Sequence, residues 1–241
     1  MMARTACLPG HPRSSVRYQP RPRLDQDLSQ RLRTLAAERP RFGYRRLHAL
    51  LRREGQLVNH KRVYRLYRAA ELRVSQRRRK RLARTRVAPT GIGVLPNQRW
   101  SLDCMQDTLS SGRRLRTLSV LDTCTREALA LAVDTSLPSR AVTRVLDRII
   151  GERQTPQSIV LDNGPELTSR WVDQWAAGRG IQLAFIEPGK PIQNAVMESF
   201  NGRFRDECLN QHWFTSLTDA RQTIETWRID YNRARPHSSL S

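Results

Sequence analysis

The chain has 241 residues, with 43 Lys and Arg against 22 Asp and Glu for a net charge of +21, so one catalytic-sized domain of about 150 residues plus a smaller module is expected. The charge is uneven: residues 1–86 hold 25 Lys and Arg against 5 acids, and 87–241 hold 18 against 17, a field that attracts a nucleic-acid polyanion by counterion release. No long apolar run or signal-peptide core supports a membrane as the partner. Cys7, Cys104, Cys124 and Cys208 form no Cys-x-x-Cys pair, which argues against structural zinc or a disulfide framework and for a reducing cytoplasm.

Residues 1–24 read as a flexible N-terminal lead, followed by a small all-α module over 25–72. A first helix is predicted from Asp25 to Glu38, with Leu28, Leu32 and Leu35 on one face, ending before Pro40. A second spans Tyr44 to Arg53 and stops at Gly55. A third follows Asn59, a good cap, and places Val63, Leu66 and Tyr67 inward with Lys61, Arg62, Arg65 and Arg68 elsewhere. The arrangement is helix-turn-helix-like, although three helices packed together with solvated basic faces would give the same pattern. A basic linker is expected over 73–93. Arg73 to Arg86 holds eight cations and no acid, including Arg77, Arg78, Arg79, Lys80 and Arg81, a block that self-repels until phosphates order it.

Beyond Gly93 the pattern changes to strands, over 94–241. Arg99–Leu109, Leu115–Asp122 and Ala128–Val133 are β-type runs. A helix over Arg140–Ile150, a strand Ser158–Leu161, a helix Arg170–Ala177, a strand Ile181–Ile186, and helices over Ile192–Leu209 and Thr218–Arg233 complete the order. Strands followed by alternating helices and strands predict an α/β domain, a mixed sheet covered on both faces.

Three acids stand out. Asp103 sits inside the apolar strand Trp100-Ser101-Leu102-Asp103-Cys104-Met105 and shares a face with Ser101 and Met105. A charge there is costly unless it is paired, metal-bound, or on an edge facing water. Asp162 ends a strand and enters Asn163-Gly164-Pro165. Strand carboxyl ends bind ligands, but an ordinary Asx-turn fits equally. Glu198 lies on a helix whose positions 194, 198, 201 and 205 form one polar stripe, with Met197, Phe200 and Phe204 on the other side; a solvated face is the commoner meaning of such a stripe.

Asp162 and Glu198 are separated by 35 residues, within DNGPE and PGKPIQNAVMESFNGRFRDECLN. Together with FGYRRLHALLRREG at Phe42, VNHKRVYRLYRA, GRRLRTLSVLD, TREALALAVDTS and WRIDYNRARPHSSL, these segments resemble the integrase catalytic core of insertion-sequence transposases. That group has two reading frames and is related to retroviral integrases, and this chain resembles the second-frame product. The chain departs from the usual pattern in ending at RPHSSLS, in the spelling of its N-terminal lead, and in Leu167, where relatives carry an aromatic residue; the first two leave a truncated copy open.

The resemblance implies a ribonuclease-H-like mixed five-stranded sheet with flanking helices. It also implies a DNA transposase that cleaves strands at element ends and joins them to target DNA. Asp103, Asp162 and Glu198 become the catalytic carboxylates, binding two magnesium (or manganese) ions about 4 Å apart. Asp103 and Asp162 would hold the ion that assists hydroxide formation, and Asp103 and Glu198 the ion beside the leaving 3′ oxygen. Water attacks first and a DNA 3′-hydroxyl second, so no covalent protein intermediate is needed. Candidate DNA contacts are Lys61, Arg62, Arg65, the run Arg77 to Arg81, and, in or after the loop before the Glu198 helix, Lys190, Asn194 and Arg205.

The implied partners are double-stranded DNA, the upstream-frame protein of the same element, and further copies of the chain bridging two ends at the bacterial nucleoid. Among rival acids, Asp107 and Asp122 receive no role, Glu166 is expected to cap the next helix, and Glu207 to lie near the face opposite Glu198. A non-catalytic DNA-binding remnant and a nuclease that cuts without joining are the alternatives. A magnesium-dependent strand-transfer assay separates them. Replacing Lys190 by Ala is expected to flatten the plot of log binding constant against log salt by about one phosphate contact; an unaltered slope removes Lys190 from the DNA interface.

Overall fold

The computed structural model describes residues 25–74, 95–162, 164, 166–186 and 194–235. Lys190 and the run Arg77 to Arg81 lie outside them. The described residues fall into two compact units, one on each side of Gln76–Arg77.

The first unit is three helices, α1 (Gln26–Glu38), α2 (Tyr44–Arg53) and α3 (His60–Ala69). Leu28, Leu32 and Leu35 of α1, Leu47 and Leu51 of α2, and Val63 and Tyr67 of α3 close a single core with Phe42. This is the burial that spacings of three and four dictate. The Asn59 side chain accepts from the Lys61 backbone N–H at 2.8 Å and so caps α3 as expected. Gly55, at φ +82°, supplies the left-handed residue that lets the chain turn away from α2.

The second unit contains β1 (Arg99–Thr108), β2 (Arg114–Asp122), β3 (Ala128–Asp134), α4 (Ser139–Glu152), β4 (Ser158–Leu161), α5 (Arg170–Ala177), β5 (Gln182–Phe185), α6 (Ala195–Glu207) and α7 (Leu217–Arg233). The long helix predicted to reach Leu209 instead ends at Glu207, and a 3-10 turn covers Leu209–Gln211. The sheet order is β3-β2-β1-β4-β5. β1 to β3 form an antiparallel meander, and β4 and β5 run parallel to β1. β1 is therefore central.

Period-2 alternation sends β1 side chains to two different cores. Trp100 and Leu102 pack with Val142, Leu146 and Ile149 of α4 and Trp175 of α5. Leu167 is fully buried in this cluster, so an aliphatic residue fills a core position there. On the other face Met105 packs against the cluster of Met197, Phe200 and Phe204 from α6 and Ile224, Trp227 and Tyr231 from α7. Phe200 meets Tyr231 edge-on, with centroids 5.0 Å apart. No helix among the described residues is long and apolar enough to cross a membrane.

Two rival acids have structural work on this frame. Asp122 is fully buried and accepts from the backbone N–H groups of Asn97, Cys124 and Thr125 at 2.7, 2.8 and 3.2 Å, which fixes the β2–β3 turn. Glu207 is clamped by Arg235 through two hydrogen bonds of 2.9 and 2.7 Å, and this buried pair joins the end of α6 to the end of α7. The expectation that Glu166 caps the next helix is corrected: Ser169 caps α5 by accepting from Val172 N–H, and Glu166 pairs with Arg116 at 3.4 Å. Removing one partner of a buried ion pair leaves the other charge stranded, so Glu207→Ala is expected to destabilise the core by about 3–5 kcal/mol in urea titration. A loss below 1 kcal/mol would show that Arg235 finds water instead.

Candidate active site

The parallel pairing of β1 with β4 sets Ser101 beside Val160. Two residues on, the same register brings Asp103 level with Asp162, just past the end of β4. The two carboxyl groups are near enough to interact through both charge and a hydrogen bond. Burial, followed by the charge of Asp162, raises the Asp103 carboxyl to about 6, against the lowering effect of donors from Cys104 N–H and the Asn201 amide. Asp162 also accepts from Gly164 N–H at 3.1 Å, so it makes the Asx-turn as well as facing Asp103. A Cβ on residue 164 would come within 3.1 Å of the Asp162 carboxylate, which is why glycine fits that position.

Glu198 is in the first turn of α6 and is exposed. Among the described residues no three His, Cys, Asp or Glu side chains cluster closely enough to hold a metal ion, so Glu198 stands apart from the Asp103–Asp162 pair. Its helix face nevertheless points at β1. Ser101 Oγ donates to Asn194 Oδ1 at 2.5 Å, the Asn201 amide donates to Asp103 Oδ2, and Arg205 donates to the Gln106 carbonyl at 3.0 Å. At 100° per residue, positions 194, 198, 201 and 205 span an arc of about 60°. Glu198 is thus bracketed by residues that touch the strand carrying Asp103, and α6 runs alongside β1 in the same direction.

Asn194, considered from sequence as a DNA contact, is buried with its side chain engaged by Ser101. Arg205 is exposed but engaged with the Gln106 carbonyl, and it stands 3.9 Å from Asp107. Residues that sequence reasoning did not single out are Ser101, Ser119 and Asn201. Ser119 pairs with Asp103 across the β1–β2 ladder, and its buried hydroxyl has no hydrogen-bond partner among the described residues. The shared face of Ser101 and Asp103, and the polar stripe of α6, carried enough information to find Ser101 and Asn201, whereas Ser119 is placed only by the β1–β2 register. Cys104 lies on the opposite face, where burial and then the neighbouring Glu166 carboxylate push its thiol pKa well up, so it offers no thiolate nucleophile.

In the helical unit Lys61 is exposed. Arg62 and Arg65 are not simply outward-facing: both hold Asp25, at 2.5 and 2.7 Å. The Arg62 hydrogen bond, followed by its charge and that of Arg65, keeps the Asp25 carboxyl below its ordinary range. On the other flank of α3, Tyr64 packs against Tyr44 with the rings tilted and their centroids 4.8 Å apart, and Arg68 lies over the Tyr64 ring at 6.0 Å.

Comparison with known proteins agrees with this division. Residues 23–81 match the HTH-like domain, and residues 94–191 and 179–241 match two models of the integrase core domain. Over 240 residues the chain is 50% identical to the insertion element IS407 uncharacterized 31.7 kDa protein of Burkholderia multivorans, covering 99% of this chain and 87% of that one. It is 31% identical over 231 residues to transposase InsD for insertion element IS2 of Escherichia coli, covering 90% and 76% respectively. The HTLV-2 integrase catalytic core domain, solved in complex with magnesium, shares the fold at 18% identity with a TM-score of 0.50, covering 61% of this chain and 93% of that one. With its helical HTH-like module and its five-stranded core, the chain belongs to the insertion-element transposase family with an integrase core domain.

Proposed function

We propose that this transposase cleaves DNA strands at the ends of an insertion element and joins them to target DNA, with Asp103, Asp162 and Glu198 as its catalytic carboxylates. The observation that carries the reading is the approach of Asp103 and Asp162 in the middle of the sheet, beneath the α6 face that bears Glu198. Two carboxylates forced together at a half-buried site destabilise each other, and one of them is raised to about 6. Around them are further oxygens without partners among the described residues, Ser119 Oγ and Asn201 Oδ1. An all-oxygen, anionic set of this kind suits a hard divalent cation, Mg²⁺ or Mn²⁺, better than zinc or a soft metal.

Asp103 and Asp162 would hold one ion and Asp103 with Glu198 a second, which together supply charge stabilisation to the attacking and leaving oxygens of phosphoryl transfer. The chain's own contribution is placement. β1 carries Asp103, the end of β4 leads straight into Asp162, Gly164 leaves room for the Asp162 carboxylate, and α6 would present Glu198. The nucleophiles are water and then a DNA 3′-hydroxyl, consistent with a site where the neighbouring thiol is held protonated. Lys61, Arg62, Arg65, the run Arg77 to Arg81, Lys190 and Arg205 are proposed as phosphate contacts. Arg62 and Arg65 would exchange Asp25 for phosphate, a change eased by the exposure of Arg65 and the partial exposure of Arg62. Bridging two element ends requires more than one copy of the chain, and the upstream-frame protein is the proposed further partner.

Asp162→Asn is expected to abolish magnesium-dependent cutting and joining of labelled element ends while leaving gel-shift binding within about threefold. Parallel loss of binding and fold would contradict a metal-ligand role. The raised Asp103 value gives a second test, on metal-free protein. The folded state holds this proton more tightly than the unfolded chain, so stability is gained at low pH and lost as pH rises from about 4 through 6. Asp25, Glu54, Asp219 and Glu225 are held below their ordinary values, so they act in the opposite sense and only at lower pH. Chemical denaturation in chelator is therefore expected to show Asp103→Asn about 2 kcal/mol more stable than wild type at pH 7, with the difference shrinking by pH 4. A destabilised Asp103→Asn at pH 7 would mean that the carboxylate is structurally satisfied and needs no cation.

A further inference from the structure

Among the described residues three helices are closed by a side-chain cap, while α1, α2, α4 and α6 go without one. Asn59, Ser169 and Ser216, at the N-caps of α3, α5 and α7, each accept a hydrogen bond from a backbone N–H of the first turn. Asn194 is the N-cap residue of α6 and among the best capping residue types, yet its side chain makes no cap bond. It accepts instead from Ser101 Oγ at 2.5 Å, 93 residues away, with both side chains buried. Forgoing a cap costs about 1 kcal/mol, and local rules are broken in this way where geometry serves a purpose beyond stability. Two turns on, Asn201 also reaches β1: its amide donates to Asp103 Oδ2 while its own Oδ1 is buried without a partner among the described residues.

We propose that Asn194 and Asn201 are positioning residues, two rungs that fix the register of α6 on β1 and so set where Glu198 stands relative to Asp103. The inference rests on the reading of Asp103, Asp162 and Glu198 as the metal-binding carboxylates. Ser101 and Asp103 are neighbours on one face of β1, and Asn194 and Asn201 lie on one stripe of α6, with Glu198 between them. A slip of α6 by one residue would turn Glu198 by about 100° away from the strand, and two polar rungs oppose that slip where apolar packing alone tolerates it. The Asn201 rung also orients Asp103: with Oδ2 held by the amide and Oδ1 by Cys104 N–H at 2.8 Å, the carboxylate plane is fixed.

The test is Mn²⁺ binding to the full chain without DNA, read from the electron paramagnetic resonance of free Mn²⁺, alongside the metal-free thermal midpoint. Asn201→Ala is expected to weaken Mn²⁺ binding 10- to 100-fold with little change in midpoint. The double variant Ser101→Ala with Asn194→Ser removes both partners of the other rung and leaves a residue able to cap α6. It is expected to keep or raise the midpoint while also losing at least tenfold in Mn²⁺ affinity, a combination that a merely structural role would not give. Should Asn201→Ala fail to fold, the double variant carries the test alone. Both variants folding and binding Mn²⁺ within twofold of wild type would overturn the positioning role. Wild type failing to bind Mn²⁺, or Asp162→Asn binding it equally well, would instead overturn the carboxylate reading beneath it.

Discussion

The second unit is organised around one electrostatic conflict. Asp103 occupies the central strand of a five-stranded sheet, where an isolated carboxylate is expensive, and the β1–β4 register sets Asp162 beside it. Natural cores avoid such a pair or neutralise it. Here the surrounding layer is polar in a restricted way: Ser101, Ser119, Asn194 and Asn201 line the α6 side of β1, while the opposite side of the same strand is Trp100 and Leu102 in a dry cluster. The apolar side supplies rigidity and the polar side retains unmet hydrogen-bonding capacity.

That division explains why α6 is amphipathic in an unusual sense. Met197, Phe200 and Phe204 anchor it to α7 and the sheet edge through aromatic packing, and its polar stripe runs along β1, with Asn194 buried, Asn201 half-buried and Glu198 and Arg205 exposed. The buried Glu207–Arg235 pair ties the far end of α6 to the end of α7. A helix held at both ends and along one face has little freedom to rotate, which is what the proposed role of Glu198 beside a fixed pair of aspartates would require. Glu198 is exposed, so under the proposed metal-binding role its carboxylate would turn in from water toward the aspartates.

Much of this was legible in the sequence because periodicity is strong where both faces of an element are committed. The helices Tyr44–Arg53 and Arg170–Ala177 and the strand Ser158–Leu161 coincide with their predicted bounds. What sequence could not supply was the identity of tertiary partners. Nothing in the local pattern says that Asn194 forgoes its cap for Ser101, that Arg62 and Arg65 hold Asp25 from across the helical unit, or that Glu166 takes Arg116 while Ser169 does the capping. The tertiary pairs among these lie between 37 and 93 positions apart, and polar side chains with several available donors or acceptors do not announce which they will use. The three carboxylates were found through motif resemblance and spacing. Their individual contexts (an acid in a strand, an Asx-turn, a helix stripe) each had an ordinary meaning, and Asp162 turned out to have both the ordinary role and the proximity to Asp103.

The central claim is that acids distant in the chain grip divalent ions jointly. Anomalous scattering from crystals of the full chain soaked in Mn²⁺ tests it most directly. The account predicts manganese density between the carboxylates of Asp103 and Asp162, with the Glu198 side chain turned toward the metal site. Manganese bound elsewhere, or bound to the two aspartates while Glu198 remains out in solvent with DNA also present, would contradict it.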